Sequence, residues 1–226
     1  MPTLLNTWIV VCLILWQSPA APPPPPRAAS PAVTTEVGFV SLFDGKTLDG
    51  WVGDIKGYAV DGGAITCLPS GSNLFTAKEY ADFHLKFEVQ LTAGANNGIA
   101  IRAPDAGDAA FAGIEIQVLD NTDPKHSNLK PWQYHGSIYG VVPAKREFLK
   151  PVGEWNAEEI IVRGSHIQVV LNDHMILDAD IAKAATEGTM DGKLHPGLRR
   201  QSGHIGFLGH GDKVSFRNIR IKEMLR

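Results

Sequence analysis

Cysteine is almost missing from this chain. Only Cys12 and Cys67 occur among 226 residues, and only Cys67 is left if the first residues are removed, so no internal disulfide could then form. A scaffold stapled by disulfides is excluded. The fold has to rest on a core, and 44% hydrophobic residues are enough for one domain. Runs of Lys or Arg are missing too. With a net charge of −3 and no basic stripe, little in the chain can neutralise phosphates, so no nucleic-acid partner is expected. The charge is also too small to steer a cationic partner. Long apolar runs are lacking: the stretch from Trp8 to Trp16 is too short for an ordinary membrane span. Helical periodicity is scarce, with one short helix expected around residues 181–186.

What is present begins with an uncharged segment, "MPTLLNTWIVVCLILW", followed by "QSPAAPPPPPRAAS". An apolar stretch ending at small residues (Ser18, Pro19, Ala20, Ala21) reads as a secretory leader over residues 1–21, although Lys and Arg are absent ahead of it. Cys12 follows two valines rather than a small residue. No lipid anchor and no stable membrane insertion of the mature domain are therefore expected. The proline run Pro22 to Pro26 opens an extended linker to residue 37. The folded domain is placed at 38–226. Export without disulfides suits the periplasm or exterior of a bacterium.

Within the domain, strands dominate. In "HLKFEVQL", Leu85, Phe87, Val89 and Leu91 alternate with His84, Lys86, Glu88 and Gln90, the pattern of an antiparallel strand with one wet face. "GIAIR" follows the turn-rich "TAGANN". Three more strands are expected at 159–163, 166–171 and 174–179, with Asn172-Asp173 as a two-residue hairpin turn. In "KVSFRNIRIKEM" the apolar phase slips between Phe216 and Ile219, which a bulge near Arg217-Asn218 would restore. Many short strands with Gly-rich turns and little helix indicate an all-β sandwich of two antiparallel sheets.

One strand raises a functional question. In "AGIEIQVLDN", Ile114, Ile116 and Val118 share a face, while Glu115 and Gln117 point to the other. A carboxylate and an amide side by side mark either a solvated outer face or a polar site on the open face of a sheet. Familiar motifs give no alternative chemistry. "GHGDK" and "DGK" lack the strand-loop-helix context of a phosphate loop, and no Gly-x-Ser-x-Gly elbow occurs. Asp44 and Asp49 do not have EF-hand spacing. "FDGKTLDGW" reads instead as a turn docking Trp51 into the sandwich.

Five phrases in order carry a resemblance: "FVSLFDGKTLDGW" (39–51), "EIQVLDN" (115–121), "GSIYGVVPA" (136–144), "PVGEWN" (151–156) and "GHIGFLGHGDKVSFRNIRIKE" (203–223). The chain resembles the 3-keto-disaccharide hydrolase domain family, also described as 3-keto-glucoside 1,2-lyases and 3-keto-2-hydroxy-glucal hydratases. The resemblance implies a concanavalin-like jelly-roll sandwich, often exported, acting on a small carbohydrate. It departs where many members read "GLQDHG": this chain has "GFLGHG", with Leu208 and Gly209 in place of Gln and Asp.

The implied reaction needs a base for the C2 proton of a 3-keto sugar, a positive group or metal for the enolate, and a proton donor for the leaving oxygen. Glu115 is the candidate base or metal ligand, with a surface carboxylate as the bland alternative. Arg102 could stabilise the enolate, or merely pair with Glu115. His135 and His210 are candidate acid, base or ligand groups, or else packed loop histidines. Gln117, Trp132, Tyr134 and Tyr139 suit sugar binding, by hydrogen bonds and by stacking, or else fill a strand face and a loop. Glu115, His135 and His210 leave a divalent metal open without a specific ligand spacing. A non-catalytic carbohydrate-binding module and a pure interaction domain remain as competing readings.

Overall fold

Alternation of apolar residues sets the architecture. The computed structural model describes residues 36–105 and 107–225. The leader expected over 1–21, and all but the last two residues of the linker expected over 22–37, lie outside the described residues. Thirteen strands are present among those described. They are β1 (Val40–Ser41), β2 (Trp51–Gly53), β3 (Tyr58–Asp61), β4 (Ala64–Cys67), β5 (Asn73–Tyr80), β6 (Phe83–Leu91) and β7 (Asn96–Ala103), then β8 (Ile114–Leu119), β9 (Trp155–Arg163), β10 (His166–Leu171), β11 (His174–Asp180), β12 (Gly203–Gly209) and β13 (Val214–Glu223). One sheet runs β11-β10-β9-β6-β13-β4-β3, with β1 on β13; the other runs β2-β5-β12-β7-β8. Every pairing is antiparallel. The inner faces meet in one core that includes Phe83, Leu85, Phe87 and Val89 of β6, Ile160 and Val162 of β9, and Ile116 and Val118 of β8. This is the two-sheet sandwich that the alternation implies.

Local expectations fare well where one face is wet. The β6 pattern alternates buried and half-buried along its whole length. The turn between β10 and β11 holds Asn172 and Asp173 at φ +49° and +68°, the left-handed pair of a tight hairpin. The β13–β6 register shifts between Arg217 and Arg220, with Asn218 at φ +53°, so the bulge falls where the phase slips. Trp51 is buried, stacks on Phe207 at 5.1 Å and donates from Nε1 to the Leu42 carbonyl at 2.9 Å. Asp44 accepts from the Lys46 and Thr47 amides at 2.7 Å each, shaping the turn before it.

Boundaries move where the signal is mixed. The Asn96-Asn97 pair read as turn is the start of β7, and β9 begins at Trp155 rather than 159. The expected helix is Ala182–Glu187, and a second one-turn helix, Ala109–Ala112, follows the cap Asp108. No helix of the described residues is long and apolar enough to cross a membrane.

Candidate active site

Strand β8 is an edge strand, yet all six of its residues are buried. Its inner face packs in the core. Its outer face, which bears Glu115, Gln117 and Leu119, is roofed by the segments around 108–113 and 120–144. The loop at 135–139 covers the strand edge as a surrogate strand: Gly136 donates to the Gln117 carbonyl at 2.8 Å, Gln117 to Ser137 at 2.9 Å and Tyr139 to Glu115 at 2.9 Å. Edge groups that would otherwise lack partners are thus satisfied.

Between roof and strand lies a cavity of about 230 Å³, lined by Asn96, Asp108, Ala110, Phe111, Glu115, Gln117, Leu119, His126, Leu129, Gln133, Tyr139 and His210. One wall is polar and the other carries aromatic rings. Glu115 is 3% exposed, and its Oε1 has no hydrogen-bond partner. It faces His210 Nε2 at 3.6 Å, whose side chain is 44% exposed. The carboxylate beside it pushes the His210 pKa up, against the opposing effect of burial, with smaller contributions from Asp212 and Asp108. Gln117 donates from Nε2 to Asn96 Oδ1 at 2.7 Å, which orients both amides along the wall. Opposite them, Tyr139 meets Phe111 edge-on at 6.5 Å and accepts at its hydroxyl from Gln133 Nε2 at 3.3 Å.

Room for the Glu115 side chain comes from Gly98 on β7, registered opposite Gln117. A Cβ there would lie 2.2 Å from Glu115 Oε1. His210 follows the end of β12, between Gly209 and Gly211. Neither Leu208 nor Gly209 lines the cavity, but Leu208 borders it, registered opposite Gly98 on the face that bears Glu115. Leu208 packs in a small apolar cluster with Phe75, Ala100, Ala103 and Ala109. A Cβ on Gly209 would meet the Gly71 carbonyl at 2.2 Å, so an aspartate there would require the 71–72 turn to move.

Of the residues singled out from sequence, the structure brings Glu115, Gln117, Tyr139 and His210 to one cavity, and four others elsewhere. Arg102 belongs by parity to the Glu115 face, but its φ of +49° and the register shift between His204 and Gly206 on β12 turn it aside. Its guanidinium is buried, donating to the carbonyls of Ala81 and Arg200 and to Asp82 at 3.0 Å, and pins the turn between β5 and β6. It neither lines the cavity nor pairs with Glu115. His135 points into the core, with Nε2 3.2 Å from Glu158 Oε2. The set Glu115, His135 and His210 is therefore not assembled, and no group of three or more His, Cys, Asp or Glu among the described residues is arranged to hold a metal ion. Tyr134 is buried, donates to the His126 carbonyl at 3.2 Å and lies under the Arg146 guanidinium at 4.3 Å. Trp132 backs Tyr139 edge-on at 5.2 Å without lining the cavity.

Asn96, Asp108, Phe111, His126 and Gln133 are cavity residues that the sequence reading does not single out. Asn96 carried a readable signal: extending β7 backwards by parity from Gly98 puts it on the same face. Phe111 and Gln133 come from short turns whose approach to β8 has no periodic signature.

Comparison with known proteins agrees with this architecture. Residues 38–222 match the model of the 3-keto-alpha-glucoside-1,2-lyase-like domain. A 3-keto-disaccharide hydrolase of Bacteroides thetaiotaomicron is 30% identical over 82% of this chain and 78% of its own length. Among solved structures, a protein of Parabacteroides distasonis provisionally named a glycosyl hydrolase is 30% identical, with a TM-score of 0.74 over 82% of this chain and 99% of that one. A second from the same organism, likewise provisionally named, has a TM-score of 0.72 at 24% identity over 83% and 95%. This chain therefore belongs to the 3-keto-alpha-glucoside-1,2-lyase-like family of carbohydrate-active proteins.

Proposed function

We propose that the cavity cleaves 3-keto-glucosides by elimination followed by hydration, with Glu115 as base and His210 as proton donor. One observation carries the reading: a buried carboxylate oxygen without a hydrogen-bond partner faces a histidine across a sugar-sized hollow. A solvated surface carboxylate would be exposed, whereas this one is buried and lines the cavity.

The ketone at C3 acidifies the hydrogen on C2. Glu115 takes that proton, and the electron pair moves onto the C3 oxygen as an enolate. Collapse of the enolate restores the ketone, forms the C1=C2 double bond and expels the glycosidic oxygen. Protonated His210, its pKa raised by Glu115, gives that oxygen its proton. Hydration runs the same groups in reverse: His210, now neutral, takes a proton from water as the oxygen adds to C1, and Glu115 returns a proton to C2. The amides of Gln117, Asn96 and Gln133 and the Tyr139 hydroxyl suit the sugar hydroxyls, and the Tyr139 ring suits an apolar sugar face. A carbohydrate-binding module on the same sandwich would have no need of a buried acid facing a histidine. The apolar leader-like segment at 1–21 supports export to the periplasm or exterior as part of the same proposal.

The test is to incubate the domain with 3-keto-glucosides, with and without added divalent metal, and follow release of the leaving group. Release that needs Glu115 supports the reading. No release under any condition ends it.

A further inference from the structure

We propose that Glu158 and His135, buried on the far side of β8 from the cavity, are positioning residues that hold this strand in place for the reaction proposed above. Glu158 projects from β9 of the opposite sheet into the core and is fully buried, as is His135, at 0% and 1% exposure. His135 Nδ1 accepts the Leu119 amide at 3.1 Å. The imidazole thus stands where a backbone carbonyl would continue the ladder that Ser137 begins at Gln117.

That one bond fixes the chemistry of the ring. A nitrogen that accepts an N–H carries no proton of its own, so in the neutral imidazole the proton sits on Nε2. Nε2 is turned toward Glu158 Oε2 at 3.2 Å, too bent to count as a hydrogen bond, and neither Nε2 nor either Glu158 oxygen has another partner among the described residues. Glu158 favours the Nε2–H tautomer by standing beside it. The other tautomer would set Nδ1–H against Leu119 N–H and break the last anchor of the edge. Leu119 itself lines the cavity, and Gln117 and Glu115 precede it on the same face.

A buried polar pair of this kind is weak evidence for stability, because desolvation offsets its attraction, and registry is the better-attested role of such pairs. The two functions separate in Glu158→Leu, which keeps similar bulk without an acceptor, and Glu158→Gln, which keeps an acceptor oxygen for Nε2–H.

Nitrogen-15 spectra of the histidine rings, exchange of the Leu119 amide and steady-state kinetics on a 3-keto-glucoside decide the matter. In the wild type, His135 is expected to show a protonated Nε2 and a bare Nδ1. Glu158→Leu is expected to retain its Tm, to lose Leu119 protection and to lose about tenfold in kcat with little change in KM, as a sub-ångström displacement of a catalytic group would give. Glu158→Gln is expected to restore both the Leu119 protection and kcat. A wild-type His135 protonated at Nδ1 overturns the proposal. So does a Glu158→Leu protein whose Leu119 protection is unchanged, or whose protection falls while kcat stays at the wild-type value. If the wild type does not act on 3-keto-glucosides, the kinetic arm speaks against the proposed reaction, while the ring spectra and amide exchange still decide the anchoring.

Discussion

Replacing Gly98 by alanine adds one methyl group in the most sensitive place available. The new Cβ would sit 2.2 Å from Glu115 Oε1 and 2.8 Å from Cδ and Cγ, whereas ordinary contact begins near 3.4 Å. The carboxylate therefore has to retreat by about 1 Å, a displacement of the kind that costs on the order of 100-fold in rate. Gly98 is not among the glycines with positive φ, so alanine adds little backbone strain. The clash reaches Cγ as well as the carboxylate of a buried side chain, so the stability cost falls within the roughly 1–3 kcal/mol typical of overpacking. The assay pairs kcat on a 3-keto-glucoside with the melting temperature and the titration of His210 by NMR. The expected result is a folded protein with a lowered melt, a collapse in kcat and a His210 curve moved toward the ordinary histidine value, because the 3.6 Å contact with Glu115 lengthens. Full activity with an unmoved His210 curve would refute the argument that Gly98 makes room for a catalytic carboxylate.

Two further outcomes follow. Arg102→Met strips the Ala81 and Arg200 carbonyls and Asp82 of a buried donor, so it should cost about 3–5 kcal/mol of stability by chemical denaturation, while kcat of the folded protein stays near wild type. A catalytic Arg102 would give the opposite pattern. Because Glu115 raises the His210 pKa above its ordinary 6.5, the contact contributes fully below that value and is lost as pH rises through the raised one. The stability difference between wild type and His210→Gln, measured by denaturant titration across that window, should therefore shrink with increasing pH.

Much of the fold was legible because strands of the larger sheet such as β6, β9 and β10 have one wet face. β6, the hairpin at 172–173 and the bulge at Asn218 each show in the alternation or in the turn residues. Glu115 and Gln117 were legible for the same reason, since parity alone places them together and opposite Ile116. Parity fails at Arg102, where a left-handed residue in a bulge breaks the alternation, and neither position 102 nor its neighbours Ile101 and Ala103 is a glycine that would announce it. It fails again for β8, whose outer face looks wet in sequence but is roofed by loops. His135 and Glu158 show a third limit. They lie 23 positions apart on different layers, and nothing local tells a histidine facing a cavity from one buried behind it.

The most direct test of the central claim follows the hydrogen that Glu115 is said to remove. The rate of leaving-group release from a 3-keto-glucoside deuterated at C2 is compared with that from the unlabelled sugar, for wild type and for Glu115→Gln. Wild type is predicted to release the leaving group more slowly from the deuterated sugar, because the C2–H bond breaks as Glu115 takes the proton, and Glu115→Gln, folded and with its cavity intact, is predicted to slow release by about 100-fold or more. Release by Glu115→Gln at the wild-type rate would contradict the claim.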